Sequence, residues 1–385
     1  MIAKRTFVTL DGLRGVAALA VVTSHAPAFF ASISVHVPQT DITKASPVVG
    51  PFFESYLAVD FFFALSGFVL AYAYGDRIRA GMNPMRFMAI RIIRLYPLYF
   101  LALSLSFVDL ALGLAHGVIA PQRLMTSSID FLFALFFLPS PTGFVLFPLN
   151  PPAWSLFFEL LANALYGGIG GRLRTPWLVV LVSIGGSVLL VAVIVGRLGF
   201  GSAGIGAMAD GFEWRSIGAG AARVAFSFFA GVLVFRVRSR WQSSISLPPF
   251  LVATLLAAVL VANPPERYQA AFDLIATLIV FPSLIFLGAN RAPTGMLARV
   301  FTWIGTASYP VYVLQAPVYE YALRVVGRLS GGVGELSWLW GGAFVGIIFY
   351  IAIMADKCFD RPVRAALSAR FLYRGQIQTD ALPPA

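Results

Sequence analysis

Cysteine is almost absent from this chain: one residue, Cys358, in 385. That excludes a disulfide framework and any cysteine-built metal site within the chain, and a lone thiol says nothing about compartment. Charge is scarce as well. Only 12% of residues are charged against 59% hydrophobic ones, a balance foreign to soluble domains. Acidic residues are the rarer sign, 17 against 28 Lys and Arg, leaving a net charge of +11. Histidine occurs three times. There is no P-loop, no glycine-rich dinucleotide fingerprint after a strand, and no His/Cys/carboxylate group at ligand spacing, so no metal is expected.

What is present in quantity is apolar sequence in runs of membrane-spanning length. Lipid admits only helices or closed barrels, and runs this long exclude the barrel. The expectation is an all-α polytopic membrane protein, with the lipid bilayer as its first partner. Clear spans are read over 8–30, 56–74, 88–113, 153–170, 177–196, 218–235, 248–263, 270–289, 304–326 and 337–355. A further run, 129–139, is too short for a comfortable crossing. Charge decides its status. With ten spans, roughly 19 of the 28 basic residues fall on one side, the positive-inside pattern. If 129–139 also crossed, that bias would largely vanish. About ten transmembrane helices are therefore expected, with 129–139 a re-entrant or interfacial helix and both termini cytoplasmic. The basic residues sit in loops between spans, which argues against nucleic acid as a partner. The first span carries Asp11, Arg14 and His25 and lacks a small-residue cleavage site, so it reads as a retained helix rather than a signal peptide. Residues 1–356 form one transmembrane domain and 357–385 a short basic cytoplasmic tail.

Charges inside spans cost about 2.5–3.5 kcal/mol each on insertion scales, so each needs a reason. Arg14 and His25 are eleven residues apart, which places both on one helix face about 16 Å apart along the axis. A neutral imidazole suits general-base work near pH 7. The competing reading is an Arg14–Asp11 ion pair and a satisfied buried histidine. Asp60, in V-D-F-F-F-A-L-S-G-F, either orients an imidazole or pairs with an intramembrane arginine. Ser66 in the same block is a weak candidate nucleophile, and Ser66-Gly67 suits close helix approach. Arg91 and Arg94, in R-I-I-R-L-Y-P-L-Y with Arg86 just before and Tyr96 within, offer guanidinium groups for phosphate or act as a positive-inside anchor. In N-P-P-A-W-S-L-F-F-E, Glu159 orients His25, holds an acceptor hydroxyl or is a paired structural carboxylate. Trp154 is an interface anchor or stacks on a sugar, and Ser155 opens the helix beside it. Arg223, Asp273, Tyr309, Tyr312, Gln315 and Glu320 are intramembrane polar residues without an individual role.

Taken in order, these blocks resemble the acyltransferase family 3 membrane proteins, bacterial O-acyltransferases that decorate sugars and related metabolites. S-Y-P-V-Y-V-L-Q at 308–315 and F-D-R-P-V-R at 359–364 complete the series. The resemblance implies acyl-CoA, acetyl-CoA by default, as donor on the cytoplasmic side, His25 as catalytic residue, and Arg91 and Arg94 near the CoA phosphates. Arg86 and Tyr96 are placed with them at the expected donor site, and Trp154, Ser155 and Ser66 at the expected acceptor site. The family's usual histidine is Gln315 here, and its usual E-K-P-x-R is Asp360-Arg361-Pro362 with Arg364. The expected function is transfer of an acyl group to a hydroxyl of a glycan or small-molecule acceptor at the bacterial inner membrane. His25 would be the base, Arg14 its companion, and Asp60 or Glu159 its orienting carboxylate. The rival is a transporter or flippase whose buried charges line a pathway, although no internal repeat is visible.

Overall fold

A computed structural model describes residues 7–25, 54–117, 119–201, 207–241, 245–330 and 337–372, with 324–330 and 337–338 as backbone alone. Residues 26–30 of the expected first span, and both termini, lie outside the described residues. The described chain is helical, with one isolated bridge between Val145 and Glu213. In chain order the helices are α1 (Val8–Ser24), α2 (Ala58–Arg79), α3 (Pro84–Ala115), α4 (Pro121–Leu135), α5 (Ala153–Ile169) and α6 (Thr175–Val195). Then follow α7 (Ile217–Arg240), α8 (Pro249–Val261), α9 (Glu266–Gly288), α10 (Gly295–Ser330), α11 (Ser337–Ala355) and α12 (Arg361–Phe371).

Six helical stretches among the described residues are long and apolar enough to cross a membrane: Ser55–Arg79, Pro84–Ala115, Thr175–Val195, Trp214–Arg240, Glu266–Gly288 and Leu339–Phe371. The protein is a multi-pass membrane protein on that basis. Helices α1, α5, α8 and α10 occupy the other expected spans, the first three of them with only 17, 17 and 13 residues. The doubtful run 129–139 falls on α4, which starts earlier than expected, at Pro121. Its 15 residues reach about 22 Å. It buries Asp130 and Ala134 and exposes Met125, Leu132 and neighbouring Phe136.

Local chemistry sets the boundaries. Asn83 caps α3, its side chain accepting from the Met85 N–H at 2.8 Å, with Pro84 opening the helix. Pro317 inside α10 deprives the Val313 carbonyl of its helical donor, and Asn150 Nδ2 supplies one at 3.2 Å. Two π turns, Ala276–Val280 and Asp356–Asp360, interrupt α9 and join α11 to α12.

The basic ends of the helices gather on one face. Arg77 and Arg79 close α2, and Arg238 and Arg240 close α7. The start of α1 is there too, since Arg238 sits 5.2 Å over the Phe7 ring. Helix α1 thus rises from the basic face and α2 descends to it. Two close crossings hold the centre. A Cβ on Gly231 of α7 would lie 1.8 Å from the Ala64 carbonyl oxygen of α2, and one on Gly67 1.9 Å from the Phe228 oxygen. A Cβ on Gly305 of α10 would meet the Asp11 oxygen of α1 at 2.5 Å. Small residues let backbones approach where lipid supplies no hydrophobic drive. We expect Gly231→Ala to cost about 1–3 kcal/mol through forced separation of α2 and α7. Thermal melting in detergent checks this, and an unchanged midpoint would mean the crossing has slack.

Candidate active site

Helices α1, α2, α3, α5 and α10 enclose a cavity of about 140 Å³ at mid-depth. Its polar lining is Arg14, Ser66, Arg91, Arg94, Ser155, Glu159, Ser308, Tyr309 and Tyr312, set among Val59, Phe62, Phe63 and Leu70. Helical spacing explains the files. Ser155 and Glu159 are four residues apart on α5, as are Ser308 and Tyr312 on α10, so each pair faces one way.

Glu159 is the hub. Its Oε1 accepts from Arg91 Nη2 at 2.9 Å and from Ser66 Oγ at 2.6 Å. Asn163, one turn further, is fully buried beside this pair, and with its amide turned it accepts from Arg91 Nε at 3.2 Å. Arg14 is anchored on α10, with Nε donating to Ser308 Oγ at 2.8 Å and Nη2 to the Gly305 carbonyl at 2.9 Å. It also pairs with Asp11 at 3.2 Å. At the other end Tyr312 and Ser155 hydroxyls meet at 2.7 Å. Tyr309 donates to the Leu95 carbonyl, bracing α10 on α3. Arg94 differs from all of these. It makes no hydrogen bond and no ion pair among the described residues, and its guanidinium opens to the cavity.

His25 stands just past the end of α1 and is not part of the cavity wall. Its Nδ1 lies 2.8 Å from the Val21 carbonyl oxygen. A carbonyl only accepts, so Nδ1 carries the proton, and in the neutral ring Nε2 keeps its lone pair. The orienting group is thus the backbone of α1. Neither Asp60 nor Glu159 bonds to His25, contrary to the expectation that one of them sets its tautomer.

Asp60 belongs to a different construction. It is fully buried and takes Arg223 Nη2 at 2.7 Å and Nε at 3.1 Å. The same guanidinium donates to the Asp210 carbonyl at 2.6 Å and the Tyr56 carbonyl at 2.9 Å. Trp154 covers it, 5.3 Å from ring centroid to the Arg223 carbon, and packs edge-on against Phe63 and Phe158. Trp154 is therefore a buried lid on an ion pair, neither an exposed anchor nor a free sugar platform. Arg86 is exposed at the start of α3, away from the cavity. Tyr96 packs among the rings of Tyr99, Phe100 and Phe137, also outside it. Sequence reasoning left Arg223, Tyr309 and Tyr312 without roles. It also left Asp273, which is buried and accepts from Tyr56 Oη at 3.0 Å and the Met208 N–H at 3.0 Å. Among the described residues no three His, Cys, Asp or Glu side chains are grouped to hold a metal ion.

The arrangement offers a small intramembrane chamber with an uncommitted guanidinium at its basic-face end, hydroxyls along its walls, and an imidazole lone pair beyond its far end. Comparison with known proteins gives this chamber a context. Residues 7–355 match the family model described as an acyltransferase domain. Over 200 residues the chain is 42% identical to protein 2 in the picA locus of Rhizobium radiobacter, covering 48% of this chain and 94% of that protein. It is 24% identical to acyltransferase MdmB of Streptomyces mycarofaciens, over 90% of this chain and 88% of MdmB. It is 26% identical to the exopolysaccharide production protein ExoZ of Rhizobium meliloti (strain 1021), over 82% of this chain and 92% of ExoZ. No solved structure matches it. A match that covers nearly every described helix leaves one conclusion: the chain belongs to acyltransferase family 3.

Proposed function

We propose that the protein is an acyl-CoA-dependent O-acyltransferase of the bacterial cytoplasmic membrane, with ten spans and both termini cytoplasmic. The observation that carries this reading is Arg94, a cation without an ion pair among the described residues, where a membrane chamber meets the basic face. Its guanidinium faces the cavity with no counter-charge among the described residues, and phosphate oxygens suit its donor fork. The donor's phosphates dock at the basic face beside Arg94, and its thioester enters the chamber. Engineered apolar cavities of about 150 Å³ hold a benzene, so a chamber of about 140 Å³ suits an acetyl group.

The acceptor approaches from the opposite face. Its hydroxyl oxygen attacks the thioester carbonyl while His25 Nε2 takes the hydroxyl proton. The carbon–sulfur bond breaks, an ester forms, and the leaving thiolate takes up the proton released by the His25 imidazolium to give free CoA. Arg14, Ser66, Ser155 and Glu159 shape and polarise the chamber that the thioester threads toward His25, with Glu159 holding Arg91 in place. A glycan or related small molecule is the acceptor class, in keeping with the exopolysaccharide production named for ExoZ.

The test uses purified protein in detergent with acetyl-labelled acetyl-CoA. Arg94→Ala is expected to weaken CoA binding by about ten- to a hundredfold, the value of one to two charge-assisted hydrogen bonds, with Arg94→Lys intermediate. Wild-type protein that neither binds CoA nor releases it from acetyl-CoA would sink the reading in favour of a transporter.

A further inference from the structure

On the basic face a groove of about 530 Å³ separates α10 from the junction of α11 and α12, a size typical of small-molecule sites. Three cations line it: Arg299, Lys357 and Arg361. Among the described residues Arg299 and Lys357 have no hydrogen bond or ion pair, and each is exposed. Arg361 is held in the wall by Asp356, with Nε at 2.8 Å and Nη2 at 2.7 Å. Trp303 also lines the groove, 53% exposed, its indole stacked on Phe349 at 5.7 Å and 25°. An aromatic plane backed by a second ring and left half open is a prepared stacking surface.

This groove is linked to the chamber. Arg361 also lines a neighbouring cleft of about 350 Å³ that contains Arg364 and Ser368. Arg94 lines both that cleft and the chamber. Three cavities thus adjoin in a row from the basic face inward, each neighbouring pair sharing one guanidinium group in its lining. A ligand that fills them is anionic at one end, elongated, and small at the other.

We propose that the outer groove holds the nucleotide end of the acyl-CoA donor: its adenine stacks on Trp303, and Arg299, Lys357 and Arg361 take its ribose 3′-phosphate, leaving the diphosphate to Arg94. The inference rests on the acyl-CoA reading and deepens it. Guanidinium groups match phosphate geometry, and an indole face is a sequence-tolerant platform for a base. A phospholipid headgroup shares the phosphate chemistry but has no base to stack, which separates the two sources.

The experiment measures binding of CoA, 3′-dephospho-CoA and 4′-phosphopantetheine to the full-length protein in nanodiscs by isothermal titration. The variants are Trp303→Leu, Trp303→Phe and Arg299→Ala/Lys357→Ala. We expect wild type to prefer CoA over 4′-phosphopantetheine by at least tenfold. Trp303→Leu should weaken both nucleotide ligands about tenfold and leave 4′-phosphopantetheine unmoved, with Trp303→Phe between, in line with the worth of one stacked base. The double variant should erase the difference between CoA and its 3′-dephospho form. Equal affinity of wild type for all three ligands would overturn the proposal, as would variants that shift all three by one factor. It also fails if the variants lose phosphatidylglycerol and keep every affinity. If CoA does not bind wild type at all, the acyl-CoA reading falls and takes this one with it. If the three ligands bind equally, only this one falls.

Discussion

Replacing His25 by Ala is expected to lower acyl transfer by about 10²–10⁴-fold while leaving CoA affinity within a factor of two, since a positioned general base contributes on that scale. The reasoning starts at the end of α1. The Val21 carbonyl accepts the Nδ1 proton at 2.8 Å, and Ser24 Oγ lies 3.3 Å from the same nitrogen. Nε2 is then the only basic atom, and the helix end fixes where it points. The chamber's anionic and cationic groups are already paired with one another, apart from Arg94, so none of them is free to take a proton at neutral pH without losing a partner. The measurement is transfer of labelled acetyl in membrane vesicles that hold the native acceptor, alongside CoA titration of the same preparation. His25→Gln keeps a donor but no basic nitrogen and should be as inactive as His25→Ala. Retention of more than a tenth of wild-type transfer by either variant would remove His25 from the chemistry.

The second large effect is on stability. Arg223→Ala leaves Asp60 buried without a counter-charge, and breaking such a pair costs about 3–5 kcal/mol. Both side chains are sealed, at 1% and 0% exposure, so water cannot compensate. The variant should melt well below wild type in detergent, or fail to accumulate in the membrane. Replacing both partners by apolar residues, Asp60→Leu with Arg223→Met, should recover most of the loss, because no orphaned charge remains. The double variant also separates two roles for Asp60. If the pair only ties α2, α7 and the 207–213 segment together, the refolded double variant transfers acetyl normally. A stable but inactive double variant would return Asp60 to the catalytic path. A single variant as stable as wild type would show that the pair is hydrated.

The helical, membrane-embedded character was legible because it depends on composition and run length, which are local. So was the Arg14–Asp11 pair, three residues apart on one helix. Partner choice was not legible. Asp60 and Arg223 are 163 residues apart, and Arg91 and Glu159 are 68 apart. Each intramembrane carboxylate had several arginines within plausible reach, and only the packing of α2 on α7 and of α3 on α5 selects among them. Trp154 misled because tryptophan at a helix start near the outer face is the usual mark of the interface. The buried guanidinium of Arg223 reversed that preference by supplying a cation for the ring face. The carbonyl that orients His25 was readable in principle, since the last carbonyls of any helix lack intrahelical donors and the residue beyond can reach back four positions.

The π turn at Asp356–Asp360 works as a phase shifter. Its closing bond runs from the Arg361 N–H to the Asp356 carbonyl, five residues back rather than four. One extra residue in a helix advances every later side chain by about 100°. The apolar stripe of α11 and the cationic stripe of α12 therefore point in different directions although the helix axis is nearly continuous. Arg364 reaches both Asp356, at 3.3 Å, and Asp360, at 2.7 Å, only with this winding. A chain shortened by a single residue here would keep its length, hydrophobicity and charge almost unchanged. It would nevertheless turn Arg361 and Arg364 about a quarter of a revolution away from Arg94.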